Sequence, residues 1–294
     1  WLDLENPTHE EVRELMDKYS IDPLIAEELL SPTLRPKVDL HTNFIYLILH
    51  FPSLRQGTKY KNKIQEIDFI VGKNVLITTR YDAIDPVHSF SKIFEVNSIL
   101  NKNEIGANAG HVFFYMIRGL YRSLSYELEY IKDMLRGVEN KIFSGKEREM
   151  VMEISKINRT LLSFKEATDI HKEVLESFER SSVKFFGEKF EYYARSILGE
   201  YYKVRSSIQS SKEYLDELNN TNNSLLTTNQ NEIMKKLTIV AFLTLPFSVM
   251  TGFFQMGTTS TPIMGTQYDW WIIMGIMTCV TILLLIFAKT RKWF

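Results

Sequence analysis

The chain has 294 residues, 45% of them apolar and 24% charged, with 35 basic side chains, 36 acidic ones and a single cysteine. That composition excludes a disordered chain, and the lone Cys279 excludes an intrachain disulfide or a cysteine-cluster metal site. The charge is unevenly spread: from Met234 onward five bases (Lys235, Lys236, Lys289, Arg291, Lys292) face one acid, Asp269, giving +4 and leaving −5 on the first 233 residues. An acidic body of this kind argues against nucleic acid as a partner.

In chain order, Thr8 followed by Glu11 reads as a capping box opening a helix, and Asp22-Pro23 repeats the start signal with proline at the first helical position. Residues 37–51 and 66–79 alternate apolar with polar and are rich in β-branched and aromatic residues, predicting a modest sheet with a hairpin turn at Gly72-Lys73-Asn74. From about Glu104 to Ser181 the apolar spacing is helical (Phe113, Ile117, Leu120, Leu124, Leu128, Ile131, Leu135), with a break near Ser144-Gly145. From about Lys189 the pattern runs on to Phe254, predicting one helix too long to be stable without packing against neighbours or further copies of itself.

Leu237 to Phe254 and Trp270 to Ala288 are charge-free apolar runs of 18 and 19 residues, each long enough to cross about 30 Å of hydrocarbon. Lys235 and Lys236 precede the first, and Lys289, Arg291 and Lys292 follow the second. The loop between them carries no base, so the positive-inside rule puts both ends and the acidic body in the cytoplasm. Tyr268, Trp270, Trp271 and Trp293 fall where interfacial aromatics belong.

No phosphate loop, dinucleotide fingerprint, metalloprotease helix or nucleophile elbow is found, so no enzymatic activity is expected. The six histidines are scattered. The carboxylates Glu27-Glu28, Asp216-Glu217 and Asp169 near His171 are candidates for a regulatory divalent cation, with a solvated helix face as the alternative. The first span is more specific. Asn231, Met234, Thr238, Ala241, Leu245, Ser248 and Gly252 recur at alternating three- and four-residue steps and share one face. A stripe of hydroxyls and an amide with bulky Met234 and Leu245 suits a pore with polar rings and apolar constrictions, and equally suits close packing of membrane helices. The uncharged, asparagine-rich segment from Leu218 to Asn231 reads either as amide rings around an axis or as a weakened stretch of helix.

The chain resembles the CorA-type divalent cation transporters over nearly its whole length. The resemblance is carried by WLDLENPTHEEV at the start, LSPTLRPKVD after it, EIDFIVGKNVLITTR in the sheet, and NEIMKKLTIVAFLTLPFSVMTGFF leading into the first span. It implies an α/β (αβα) cytoplasmic domain, a long helical stalk and two transmembrane helices, assembled as a homopentamer in a prokaryotic inner membrane with both termini cytoplasmic. The corresponding divisions are a cytoplasmic α/β domain over 1–100, a helical hairpin over 101–188, and the stalk with the first span over 189–256, the span itself at about 237–254. An extracytoplasmic loop follows over 257–269, then the second span over 270–288 and a basic tail over 289–294. The function implied is passive, membrane-potential-driven movement of a divalent cation, usually Mg2+, with Co2+, Ni2+ or Zn2+ in some members. The partners implied are the metal ion, the lipid bilayer and further copies of the chain, with no cofactor beyond a transported or regulatory cation.

By the same resemblance Asn231, Met234, Leu237, Ala241, Leu245, Ser248 and Gly252 line the conduction path, with Met234, Leu237 and Leu245 at its apolar gate and Leu237, rather than Thr238, facing the pore. The chain departs from the family at the end of this span. Where relatives read tyrosine-glycine-methionine-asparagine, it reads Phe254-Gln255-Met256-Gly257, so Gln255, Met256 and Gly257 stand at the selectivity filter. Asp269 is the only acid at the expected extracytoplasmic mouth, and Asn220 occupies the place of a stalk aspartate. A non-conducting scaffold or regulator and a relaxed cation channel are the alternative readings.

Overall fold

The computed structural model describes residues 1–52, 64–99, 108–256 and 267–290. They form two compact units, Trp1–Asn220 and Thr221–Phe294, taken in turn. Gly257, most of the loop, and Arg291, Lys292 and Trp293 lie outside the described residues, as does the stretch from Glu104 to Ala107.

The first unit is built on a five-stranded sheet of order β1-β5-β4-β3-β2: β1 (Leu2–Glu5), β2 (Lys37–Leu40), β3 (Phe44–Pro52), β4 (Ile64–Gly72) and β5 (Leu76–Arg80). β1 runs parallel to β5, and every other pair is antiparallel. Nearly every residue of β3, β4 and β5 is buried, because helices cover both faces and neither face alternates with solvent. On one face α1 (His9–Tyr19) and α2 (Pro23–Glu28) lay Val12, Leu15, Ile25 and Leu29 against Tyr46, Ile48, Ile70 and Ile77. On the other, Phe69 meets Phe113 edge to face at 5.3 Å and Phe51 meets Tyr121 at 6.1 Å, both partners on α4 (Ala109–Phe143). The result is the αβα sandwich that the family resemblance implies.

Local chemistry sets the ends of these elements. The Thr8 hydroxyl accepts from the Glu11 N–H and the Glu11 carboxylate accepts from the Thr8 N–H at 2.8 Å, closing the capping box, while Asp22 caps α2 ahead of Pro23. The β4–β5 turn closes through Gly72 N–H to the Val75 carbonyl at 2.9 Å, at the predicted Gly72-Lys73-Asn74. β1 has no counterpart in the sequence reading. Its four residues are too short for an alternating pattern, and it is held by partners distant in sequence: Arg80 pairs with Asp3 and Glu5 at 3.1 and 2.9 Å, and the Trp1 indole donates to Thr78. A helix α3 (Asp85–Ile99), which the sequence reading did not call, follows the sheet.

The helical region holds more breaks than the spacing predicts. α4 ends at Ser144-Gly145 as expected, with Gly145 at φ +84°. α5 (Glu147–Thr168) is then separated from α6 (His171–Phe186) at Asp169-Ile170, and Gly187 at φ +92° ends α6 before a 3-10 turn, Glu188–Phe190. Asp169 and Ile170 keep helical backbone angles, so no glycine or proline marks that joint. One helix, α7 (Glu191–Gln255), then continues for 65 residues and contains Pro246.

Candidate functional site

The second unit contains the remainder of α7 and α8 (Asp269–Thr290), and both helices include stretches long and apolar enough to cross a membrane. Only 6% of either apolar window is buried within the chain, which separates these helices from the core helices of a soluble domain. Each carries one partly covered stripe: Ile239, Leu243, Pro246 and Met250 on α7, and Ile273, Met277, Val280, Leu284 and Ala288 on α8. Phe242 and Phe287 stack at 6.4 Å. Both stripes step by three and four residues, as two helices packing lengthwise must.

This packing decides which way the candidate stripe faces. At about 100° per residue, Ile239, Leu243, Pro246 and Met250 fall within roughly 60° of one another. Met234, Leu237, Ala241, Leu245, Ser248 and Gly252 fall on roughly the opposite side of the helix, whereas Asn231 lies at the flank, about 80° from Ile239. All seven are exposed in the single chain, as are Gln255 and Met256; Met234 is 52%, Leu237 60% and Leu245 65% exposed. Leu237 and Thr238 flank the centre of this face about equally, so helical position does not choose between them.

The hydroxyls of this span return their protons to the helix: Thr238 donates to the Met234 carbonyl at 2.8 Å, Ser248 to that of Thr244 at 3.3 Å, and Thr251 to that of Phe247 at 2.9 Å. With its proton so engaged, a hydroxyl presents lone pairs outward and accepts from the water around a cation. Asp269 sits at the start of α8, where its carboxylate accepts from the Trp270 N–H at 2.7 Å, and the adjoining Trp270 and Trp271 rings meet edge to face. Lys235, Lys236 and Lys289 are exposed at the opposite ends of the two spans.

The titratable groups of the first unit are mostly engaged elsewhere. His171 is fully buried; Nε2–H donates to the His50 carbonyl at 2.7 Å, so Nδ1 is left to accept from the Tyr121 hydroxyl at 2.7 Å. Burial pushes its pKa down to about 4. It is a core residue, whereas Asp169 is exposed, and the two belong to no metal-holding group among the described residues. Lys37 bridges Glu28 and Asp39, and Lys212 bridges Asp216. Glu66, bonded to His50 at 2.9 Å and to the Thr33 N–H, lies beside Asp68, whose pKa is raised by burial and by that neighbouring carboxylate. Among the described residues no three His, Cys, Asp or Glu side chains gather as a metal-holding group.

An α/β domain that feeds one long helix into an apolar span, with a second apolar helix packed along it, defines a two-span membrane protein with a polar-and-apolar stripe left uncovered. Comparison with known proteins gives the family: the CorA-like Mg2+ transporter protein family matches residues 1–289, and the chain belongs to it. Among curated relatives it is 21% identical over 285 residues to the cobalt/magnesium transport protein CorA of Thermotoga maritima, covering 96% of this chain and 79% of that one. To the protein of the same name from Methanocaldococcus jannaschii it is 23% identical, covering 100% and 90%. The complete structure of the CorA magnesium transporter from Methanocaldococcus jannaschii superposes with a TM-score of 0.85 at 20% identity, covering 99% of this chain and 90% of that one. The full-length CmaX protein gives 0.76 at 18% identity, covering 99% and 88%.

Proposed function

We propose that the chain assembles as a homopentamer whose α7 helices surround a water-filled axis, and that divalent cations pass along it down the membrane potential toward the cytoplasm. The observation that carries this reading is the exposed stripe from Met234 to Gly252, set on the face of α7 away from its covered stripe. Ser248 supplies an oxygen to the water shell of the ion, while Met234, Leu237 and Leu245 narrow the path where dewetting closes it. Mg2+ gives up its water reluctantly, so a hydrated ion is the expected traveller and outer-shell hydrogen bonds the means of selection. At the filter, Gln255 supplies the amide that relatives place two residues later, on a longer arm and at another height. The expected consequence is transport with relaxed choice among Mg2+, Co2+, Ni2+ and Zn2+.

The test is cation flux into liposomes bearing the purified chain, with each of these ions and K+ compared under an inside-negative potential. Divalent uptake that rises with the potential supports the proposal. K+ flux instead identifies a relaxed monovalent pore. If no cation moves until Gln255→Gly and Gly257→Asn are introduced together, the chain is a non-conducting scaffold that kept the architecture.

A further inference from the structure

Between the C-terminal end of α5 and the first third of α7, within the first unit, lies an open cleft with a volume of about 480 Å³. Its walls bring together Lys165 and Asp169 from the end of α5 with Tyr202, Arg205 and Ser206 from α7. Lys165 and Arg205 form no salt bridge among the described residues, whereas Lys156 on α5 and Arg195, Lys203 and Lys212 on α7 each pair with a carboxylate. Beside them, behind the cleft wall, Tyr201 is 1% exposed and its hydroxyl lies near both Arg205 and Asp169. Asp169 is fixed as the cap of α5 by its N–H to the Lys165 carbonyl at 2.9 Å, and Tyr202 is steadied by a 3.4 Å contact from its hydroxyl to Glu176.

We propose that this cleft binds a nucleoside phosphate. Lys165 and Arg205 meet the phosphate, with the Ser206 hydroxyl as a further donor; Arg offers the forked geometry that phosphate oxygens match. Asp169 accepts from the ribose hydroxyls, and the Tyr202 ring, 44% exposed, offers a face to the base. The volume lies in the range of small-molecule sites, roughly 300–1,000 Å³, and is several times what a bare phosphate fills. A free phosphate would leave Asp169 as a repelling charge, and a divalent cation would meet two ammonium-type charges.

The full chain in detergent, free of divalent metal, is titrated calorimetrically with AMP, inorganic phosphate and adenosine. AMP is expected to bind one per chain and at least tenfold more tightly than either fragment. Arg205→Gln and Lys165→Gln each weaken AMP about tenfold or more, while Asp169→Asn weakens AMP and leaves phosphate unchanged or tighter. Lys165, Asp169 and Arg205 are exposed, so thermal unfolding of the variants should match that of the parent. No binding of AMP, binding no tighter than phosphate, or AMP affinity indifferent to Arg205→Gln overturns the proposal. Binding is read without an ion gradient, so the outcome is separate from that of the flux experiment.

Discussion

His171 shows how one side chain ties this fold to pH. Its neutral ring joins three elements: it opens α6, accepts from Tyr121 on α4 and donates to the backbone of β3. A pKa lowered from 6.5 to about 4 means that the unfolded chain binds a proton that the folded one refuses. The stabilisation is therefore complete above pH 6.5 and lost as pH falls toward 4, by at most about 3.5 kcal/mol if each unit counts about 1.4. Thermal unfolding of the solubilised chain between pH 4.5 and 7.5 should show this acid limb. His171→Phe should flatten it and, by stranding Tyr121 and the His50 carbonyl, cost about 2–4 kcal/mol at pH 7. Asp68 has the opposite sign. Its raised pKa makes the folded chain keep a proton that the unfolded chain releases, so its contribution declines as pH climbs above the ordinary carboxyl value of 3.8. Asp68→Asn should accordingly stabilise the chain at pH 8 relative to pH 5 when both are measured against the parent. In the first span, Leu245→Ser replaces an apolar constriction with a wettable one and should raise cation flux several-fold in the same liposome assay.

At the level of elements, what the sequence discloses depends on how local the cause is. The capping box at Thr8 and the Gly72 turn are written in neighbouring residues and were readable, as was the break at Gly145. β1 and the joint at Asp169-Ile170 were not, because their causes lie far along the chain: a parallel partner some 75 residues away for β1, and a buried histidine bonded across the domain for the joint. Likewise the stripe on α7 was legible as a period, yet its direction was not, since only the partial burial of Ile239, Leu243, Pro246 and Met250 says which side is covered. The α4–α6 packing offers an element-scale test. A Cβ on Gly110 would lie 2.7 Å from Phe190, in the turn before α7, and 3.0 Å from Phe186, at the end of α6. Gly110→Ala, although it favours helix locally, should destabilise the chain by about 1–3 kcal/mol through overpacking, which a lowered melting temperature would show.

For the whole molecule, membership of the CorA-like family joins an acidic body to two spans with basic ends, and the proposed conduction path is made only by several copies together. The central claim is that the Met234-to-Gly252 face of α7 meets water while the Ile239-to-Met250 face does not. Cysteine accessibility tests it most directly: with Cys279→Ser as background, Ser248→Cys and Met250→Cys are each reacted with a charged, membrane-impermeant thiol reagent in liposomes while cation flux is recorded. The account predicts that Ser248→Cys is modified and its flux blocked while Met250→Cys stays unreactive with flux unchanged; equal reactivity at the two positions, or modification at Met250→Cys alone, would contradict it.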